Sequence, residues 1–205
     1  MKIALIGANG QSGQAFVVAA LESGHSIVAG VHTTNPFKSQ PGLRVVKIDA
    51  TNHSDIEKLI TGSDAVVSFI GHAPHSPKTL QTDSIKNVIK AMKKHKVKRL
   101  VSLTGTGVRF PGDTPSLADK ALNAGVKTIE YIRVKDGINH AAAIKRSGLD
   151  WTIIRVLKLQ NTKPKPYALT EHGPAKLITS RSEVAEATLE VLKDKKYIKK
   201  APIIS

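Results

Sequence analysis

Short apolar runs alternate with segments of helical periodicity along the 205 residues, and this alternation restricts the fold more than any other feature. The runs are rich in Val, Ile and Leu, which is typical of strands buried on both faces of a parallel sheet. The predicted strands are 2–6, 26–31, 44–48, 65–70, 99–104 and 151–155, with a short last strand near Ile203. We therefore predict a doubly wound α/β sheet flanked by helices, in a single domain.

The predicted helices have recognisable starts and one apolar face each. Ser54 with Glu57 and Ser180 with Glu183 fit a capping box, in which the two side chains satisfy each other's backbone amides. Other helices are predicted at 13–23, at 136–147 and around the apolar positions of 85–92.

Two proline-containing segments, 105–126 and 158–176, interrupt the alternation and are predicted to be long loops. Both follow the carboxyl ends of predicted strands, where open parallel sheets bind their ligands. We expect the segments at about 105–135 and 158–180 to wall a substrate pocket.

A glycine-rich loop lies directly between the first predicted strand and the first helix, with G-x-x-G-x-x-G spacing. Glycines allow a tight turn and a close backbone approach, and a helix N-terminus presents free amides to negative charge. This context predicts a site for the pyrophosphate of a dinucleotide, with a plain turn as the alternative. The predicted contacts are Gly7, Asn9, Gly10, Gln11, Ser12 and Gly13.

The residues after the second strand bear on which dinucleotide is bound. NAD-binding proteins use an acidic residue about 20 residues beyond the loop to hold the adenosine ribose. No acidic residue occurs between Glu22 and Asp49, whereas His32 and Lys38 offer hydrogen-bond donors and positive charge. The sequence therefore favours NADP(H) over NAD(H). An ordinary polar loop after a strand is the alternative.

Strand ends supply the remaining predicted site residues. Asp49 can accept a hydrogen bond from the adenine amino group or cap the following turn. Thr104 and Thr106 carry hydroxyls toward the nicotinamide or a substrate carbonyl, or are turn residues. Further cofactor contacts are predicted at Ala50, Ile70, Gly71, His72, Thr104 and Gly105.

A Tyr-x-x-x-Lys spacing occurs at Tyr131 and Lys135. On one helical face the lysine would lower the tyrosine pKa and make the phenol a usable acid. The predicted helix begins slightly later, at 136, so we favour a surface or pocket-lining tyrosine over a catalytic one.

Charge and composition narrow the classes of partner. The formal net charge is +15, and much of the excess lies in the lysine-rich stretches 93–99 and 193–200. Only 4% of residues are aromatic, which favours a solvated lysine-rich face over a nucleic-acid site. The absence of cysteine excludes disulfides and thiolate chemistry. The apolar run at 1–6 is too short for a signal peptide or a membrane span, so we expect a cytoplasmic protein.

Several strings resemble the atypical short-chain dehydrogenases/reductases of the NAD(P)H-binding, NmrA-like group, most of all the flavin reductase and biliverdin-IXβ reductase branch. The strings lie at 7–13, 49–50, 63–67, 147–155 and 180–185. The resemblance implies hydride transfer from NADPH to a flavin, quinone or similar conjugated small-molecule acceptor. Members of that branch commonly carry arginine at the position of His32, and a serine where this chain has Gly105.

The same resemblance leaves two other functions open. One is a non-catalytic NADP-binding redox sensor of the NmrA type, which acts through protein contacts. The other is a sugar-nucleotide epimerase-like enzyme, for which 205 residues leave little room for a substrate domain.

Overall fold

The computed structural model describes residues 1–129 and 131–205. The described strands are β1 Lys2–Ile6, β2 Ser26–Val31, β3 Leu43–Lys47, β4 Ala65–Ser68, β5 Arg99–Gly105, β6 Asp150–Val156, β7 Leu159–Gln160, β8 Leu169–Thr170, β9 Thr179–Ser180 and β10 Ile203–Ile204. The described α-helices are α1 Gln11–Glu22, α2 His53–Ile60, α3 Leu80–Lys94, α4 Leu117–Ile129, α5 Tyr131–Lys145 and α6 Arg181–Lys193.

The main sheet has the strand order β3-β2-β1-β4-β5-β6-β10-β8 and is parallel except for β8, which runs antiparallel to β10. The chain proceeds outward from β1 to β3 and then returns to β4 on the other side of β1. This reversal opens a crevice at the carboxyl ends of β1 and β4, where doubly wound sheets bind ligands. The predicted single-domain α/β fold is confirmed.

Alternate residues of the central strand feed two separate apolar layers. Ala4 and Ile6 of β1 pack in the layer that includes α2, α3 and α5. Ile3 and Leu5 pack in the layer with Phe16 of α1 and residues of α6. The burial of β1 confirms the prediction that this strand is buried on both faces.

The structure corrects the burial of one predicted strand. β3 was expected to be buried on both faces, but its residues are only partly buried or exposed. β3 pairs with β2 alone and forms the edge of the sheet, so its second side faces no strand.

The prediction of a loop over 105–126 was wrong in part, because α4 begins at Leu117. Ser116 Oγ accepts the Asp119 amide at 3.1 Å, so a Ser-x-x-Asp start signal was present in the sequence. The helix predicted from 136 begins at Tyr131, and Ile138, expected on its apolar face, is 48% exposed.

Of the two predicted capping boxes, only that of Ser180 and Glu183 is confirmed. α2 is capped instead by Asn52, whose side chain accepts the amides of Ser54 and Asp55. Asn52 acts from two residues upstream of Ser54, so Ser54 is already inside the helix.

The segment 158–176 is mainly loop, as predicted, with β7 pairing with β9 in a small second sheet. The fully buried Arg155 at the end of β6 holds this region against the segment after β5. Its Nη2 donates to Asp113 Oδ1 at 2.9 Å and to the Glu171 carbonyl at 2.9 Å. No helix among the described residues is long and apolar enough to cross a membrane.

Candidate functional site

Two glycines of the loop after β1 are fixed by close backbone packing. Gly7 has φ +83°, and a Cβ there would meet the Phe69 carbonyl carbon and oxygen at 3.0 Å. A Cβ on Gly13 would lie 2.3 Å from the Gly7 carbonyl oxygen. A Cβ on Gly10 would approach only that same oxygen, at 3.3 Å, so Gly10 faces open space. A side chain at Gly7 or Gly13 would displace the loop. A side chain at Gly10 would instead fill the open space in front of the loop.

The N-terminus of α1 has no side-chain cap and no acidic residue in its first turn. Its first backbone hydrogen bond runs from the Gln14 amide to the Gly10 carbonyl, at 2.9 Å. The amides of Gln11, Ser12 and Gly13 find no acceptor in the described part of the chain. Such free amides at a helix N-terminus form an anion site.

These amides open into a cavity of about 1230 Å³ at the carboxyl edge of the sheet. Most of the predicted site residues line it, and their individual roles remain predictions. The predicted residues on the lining are Gly7, Asn9, Gly10, Gln11, Ser12, Gly13, His32, Asp49, Ala50, Ile70, Gly71, His72, Thr104 and Gly105.

His32, Thr33 and Asp49 line the end of the cavity at β2 and β3. Asp49 Oδ1 accepts the Thr51 amide at 2.8 Å and the Thr51 hydroxyl at 2.7 Å, so this carboxylate does cap the following turn. These two hydrogen bonds hold the pKa of Asp49 below its ordinary value, and the nearby His32 adds to the effect. The Asp49 carboxylate thus remains charged at neutral pH.

Thr104 lies at the other end of the cavity, near the end of β5. Residue Thr104 is 9% exposed, and no hydrogen bond joins its hydroxyl to another described residue. The hydroxyl is therefore available to a ligand in the cavity.

Thr106 is not on the cavity lining, contrary to its predicted role near the nicotinamide. Its hydroxyl accepts Asn123 Nδ2 at 3.1 Å and lies within the buried cluster around Asp119. Asp119 is also paired with Arg109, with 2.6 Å between Nη2 and Oδ1. Because α4 covers it, Thr106 serves to hold that helix in place.

Tyr131 and Lys135 share one face of α5, with Lys135 Nζ 5.9 Å from the centroid of the Tyr131 ring. The spacing therefore does bring the two side chains together. However, Tyr131 is 61% exposed, and neither residue lines the cavity. This position supports the surface alternative over proton donation.

Lys38, predicted as a cofactor contact, is likewise exposed and outside the lining of the cavity. Residue 130 of the predicted pocket segment lies outside the described residues.

Sequence reasoning missed three basic residues on the cavity lining, namely Arg133, Lys158 and Arg181. Lys158 begins the predicted pocket segment 158–180, and Arg181 directly follows that segment. Each comes just after a strand end, and this position was a usable signal. Arg133 lies on α5 within the predicted pocket segment 105–135, but nothing singled it out from its neighbours, because its approach to the cavity depends on how that helix packs.

A buried polar network lies beside the cavity and was not predicted. His140 Nε2 lies 2.9 Å from Ser102 Oγ, and its Nδ1 lies 3.2 Å from the Gln81 carbonyl oxygen. Burial lowers the pKa of His140, and the Gln81 hydrogen bond and the Asp136 charge oppose this only in part. His140 is thus neutral at neutral pH, with Nδ1–H donating to Gln81 and Nε2 accepting from Ser102.

The site therefore fits a phosphate-bearing dinucleotide on its own geometry. Gly7 and Gly13 allow the loop to pack closely against the backbone, and Gly10 leaves open space in front of the loop. The uncapped amides of α1 supply hydrogen-bond donors to this space. The cavity volume of about 1230 Å³ exceeds the range of about 300–1,000 Å³ that is typical of pockets for drug-sized ligands, so a dinucleotide can be accommodated.

Comparison with known proteins agrees with this geometry. The NAD(P)H-binding family profile matches residues 7–195. An uncharacterised chloroplastic protein of Arabidopsis thaliana is 27% identical over 208 residues, covering 93% of this chain and 71% of that protein.

Two solved structures share the fold at low sequence identity. A short-chain dehydrogenase/reductase of Veillonella parvula in complex with NADP has a TM-score of 0.84 at 17% identity, over 100% of this chain and 94% of that chain. A protein of Streptococcus pneumoniae assigned as an NADH-flavin reductase has a TM-score of 0.78 at 21% identity, over 100% of this chain and 98% of that chain. The chain belongs to the NAD(P)H-binding family and has the Rossmann-like fold of short-chain dehydrogenases/reductases.

Proposed function

We propose that this protein is an NADPH-dependent reductase that transfers hydride to a planar conjugated small molecule such as a flavin or a quinone. The observation that carries the proposal is one continuous cavity that follows the strand ends from β3 to β5. The uncapped amides of α1 lie in its middle, after β1, and the hydroxyl of Thr104 lies at the β5 end. The middle suits a diphosphate, and the β5 end suits a reacting group.

When bound, the cofactor supplies the hydride, so the protein contributes binding, orientation and exclusion of water. The free amides of Gln11, Ser12 and Gly13 orient the diphosphate. At Gly71, where a Cβ would meet nothing within 4 Å, the backbone leaves room for the rest of the dinucleotide along the strand ends.

Preference for NADP(H) over NAD(H) is part of the proposal. A 2′-phosphate would be repelled by a carboxylate after β2, and the residues on the cavity there are His32 and Thr33. Because Lys38 is outside the lining, His32 takes the larger share of this preference. We expect His32→Asp to weaken NADPH binding while NADH binding is retained.

The acceptor side is lined by apolar side chains with a few cations. Leu80, Leu103 and Leu157 offer surfaces for a flat ring, and Lys158 and Arg181 provide positive charge. This combination supports a conjugated acceptor that carries a negative group, and it gives no support to an extended sugar nucleotide.

The test is to follow the loss of NADPH absorbance by the purified protein with FMN and with a naphthoquinone. We expect turnover with at least one acceptor, and a lower Kd for NADPH than for NADH. Gly10→Val should abolish both cofactor binding and turnover without unfolding the chain. Tight NADPH binding with no oxidation for either acceptor would favour the redox-sensor function instead.

A further inference from the structure

The cavity wall formed by residues 71–77 contains a histidine whose ring is held from inside the protein. His72 Nε2 lies 2.9 Å from Asp136 Oδ2 of α5, and the two side chains are 6% and 1% exposed. Its other nitrogen, Nδ1, lies 3.2 Å from Ser76 Oγ on the same wall. Both His72 and Ser76 line the cavity.

Asp136 is held as a hydrogen-bond acceptor by the start of α3. The amides of Gln81 and Thr82 donate to its two oxygens at 2.8 and 3.1 Å, and the Thr82 hydroxyl also donates to it. With three donors from α3 on its oxygens, the Asp136 side chain acts as an acceptor, so His72 presents Nε2–H to it. His72 therefore carries a proton on Nε2 in both of its protonation states, and the proton that can leave is the one on Nδ1.

Ser76 is arranged to receive that proton. Its hydroxyl donates to the Ala73 carbonyl at 2.9 Å, and its oxygen accepts the Ala73 amide at 3.2 Å. With its own hydrogen on Ala73, Ser76 Oγ is an acceptor toward His72 Nδ1–H. The route from the buried ring to the cavity thus runs through a single hydroxyl.

We propose that His72 is the general acid of the reductase, that its proton reaches the acceptor through the Ser76 hydroxyl, and that Asp136 is the residue that positions it. This inference rests on the proposed function, because a two-electron reduction of a quinone takes up one hydride and one proton. The redox partner is NADPH, which leaves as NADP⁺.

The atoms balance in one transfer. The Ser76 O–H bond breaks as its hydrogen turns from Ala73 to an oxygen of the acceptor, where a new O–H bond forms. At the same time the His72 Nδ1–H bond breaks, and its proton restores the serine hydroxyl. The imidazole is left neutral and regains a proton from solvent before the next turnover.

The charges around His72 set the direction of the pH dependence. Asp136 of α5 faces Nε2, and His140 of the same helix is neutral. From α3, the groups that face the pair are the amides of Gln81 and Thr82 and the Thr82 hydroxyl, which are uncharged. His75 stands on the same wall. Since only a ring with hydrogen on Nδ1 can donate through Ser76, kcat should fall as pH rises.

The experiment measures kcat for naphthoquinone reduction against pH in the full-length chain. In His72→Gln the side-chain amide can still donate to Asp136 but has no transferable proton. We expect kcat, measured at saturating NADPH, to be about 100-fold lower and independent of pH over the range where the wild type falls. His53→Gln, on α2 and away from the cavity, should keep the wild-type profile.

Ser76→Ala tests the route on a wall position, should the buried His72 variant fail to fold. It should lower kcat to the level of His72→Gln, whereas Ser76→Thr, which retains a hydroxyl, should restore it. The double variant should be no slower than either single variant, because the two residues act as a unit.

The outcomes separate the two hypotheses. Wild-type turnover with an unchanged pH profile in Ser76→Ala or His72→Gln would overturn the relay and leave the reductase function standing. Absence of turnover in the wild type with every acceptor would overturn the reductase function and the relay with it.

Discussion

Two helices, α1 and α6, begin at the carboxyl edge of the sheet and pack in the same apolar layer, yet their first turns are built differently. At α6, Ser180 Oγ accepts the Glu183 amide at 3.0 Å, and the Glu183 carboxylate accepts the Ser180 amide at 3.2 Å. At α1, the capping position is Gly10, which has no side chain to offer.

The difference indicates that the chain leaves backbone amides free where the diphosphate is expected and satisfies them at α6, which contributes the Arg181 side chain to the cavity instead. Glu183 also binds the loop that follows β7, through the Lys165 amide at 2.7 Å and Lys176 Nζ at 3.0 Å. The first turn of α6 therefore anchors neighbouring loop structure, whereas the first turn of α1 leaves its amides to the cavity.

The largest expected effect is on stability, from a substitution at the tightly packed Gly13 of the glycine loop. Gly13→Ala places a Cβ 2.3 Å from the Gly7 carbonyl oxygen and 2.7 Å from Ala8 Cα, so backbone atoms must shift. We expect the free energy of unfolding to fall by about 3 kcal/mol. Urea denaturation measures this, and an unchanged midpoint would mean that the loop is not packed as described.

Gly10→Ser should make α1 resemble α6. The new hydroxyl can accept an amide of the first turn and occupies the space of the ligand, so one charge-assisted hydrogen bond to the cofactor is lost. We expect the Kd for NADPH to rise about 10- to 100-fold while the free energy of unfolding does not fall. Isothermal titration calorimetry and urea denaturation on the same variant check both parts. An unchanged Kd would mean that the loop is only a turn.

The converse change is Ser180→Ala at α6. Loss of the cap leaves the Glu183 amide without its partner, and the expected cost is about 1 kcal/mol of stability. Because these amides do not face the cofactor, the Kd for NADPH should not change. A calorimetric titration in which Ser180→Ala weakened cofactor binding as much as Gly10→Ser would remove the contrast between the helices.

The smallest effect is a pH dependence of stability from Glu183. Burial opposes ionisation, but hydrogen bonds from the Lys165 amide, the Lys176 ammonium and the Ser180 amide outweigh it and lower the pKa below the ordinary 4.5. A lowered folded-state pKa stabilises the fold above pH 4.5, and this stabilisation is lost as pH falls through the folded pKa. When the urea midpoint is measured at successively lower pH, it should fall less steeply for Glu183→Gln than for the wild type.

The same contrast explains what could be predicted from the sequence. The glycine loop and the Ser180 box depend on residues within a few positions of each other, and both could be recognised from spacing. The helix start at Ser116 was equally local, but Pro111, Gly112 and Pro115 just before it favoured a loop.

Contacts across long sequence separations could not be predicted in this way. Asp136 meets His72 across 64 positions, and no spacing rule connects them. The placement of Thr106 under α4 and of Tyr131 on the surface likewise depends on how helices pack, which a single sequence does not specify. The described cavity therefore contains most of the predicted cofactor residues but only Thr104 of the four predicted catalytic ones.

The central claim is that the uncapped amides of α1 receive the cofactor. Nuclear magnetic resonance of the ¹⁵N-labelled protein during titration with NADPH tests it most directly. The account predicts that the amide signals of Gln11, Ser12 and Gly13 shift most and saturate together, while those of the α6 first turn move little. Saturable NADPH binding that leaves these three amide signals in place would contradict it.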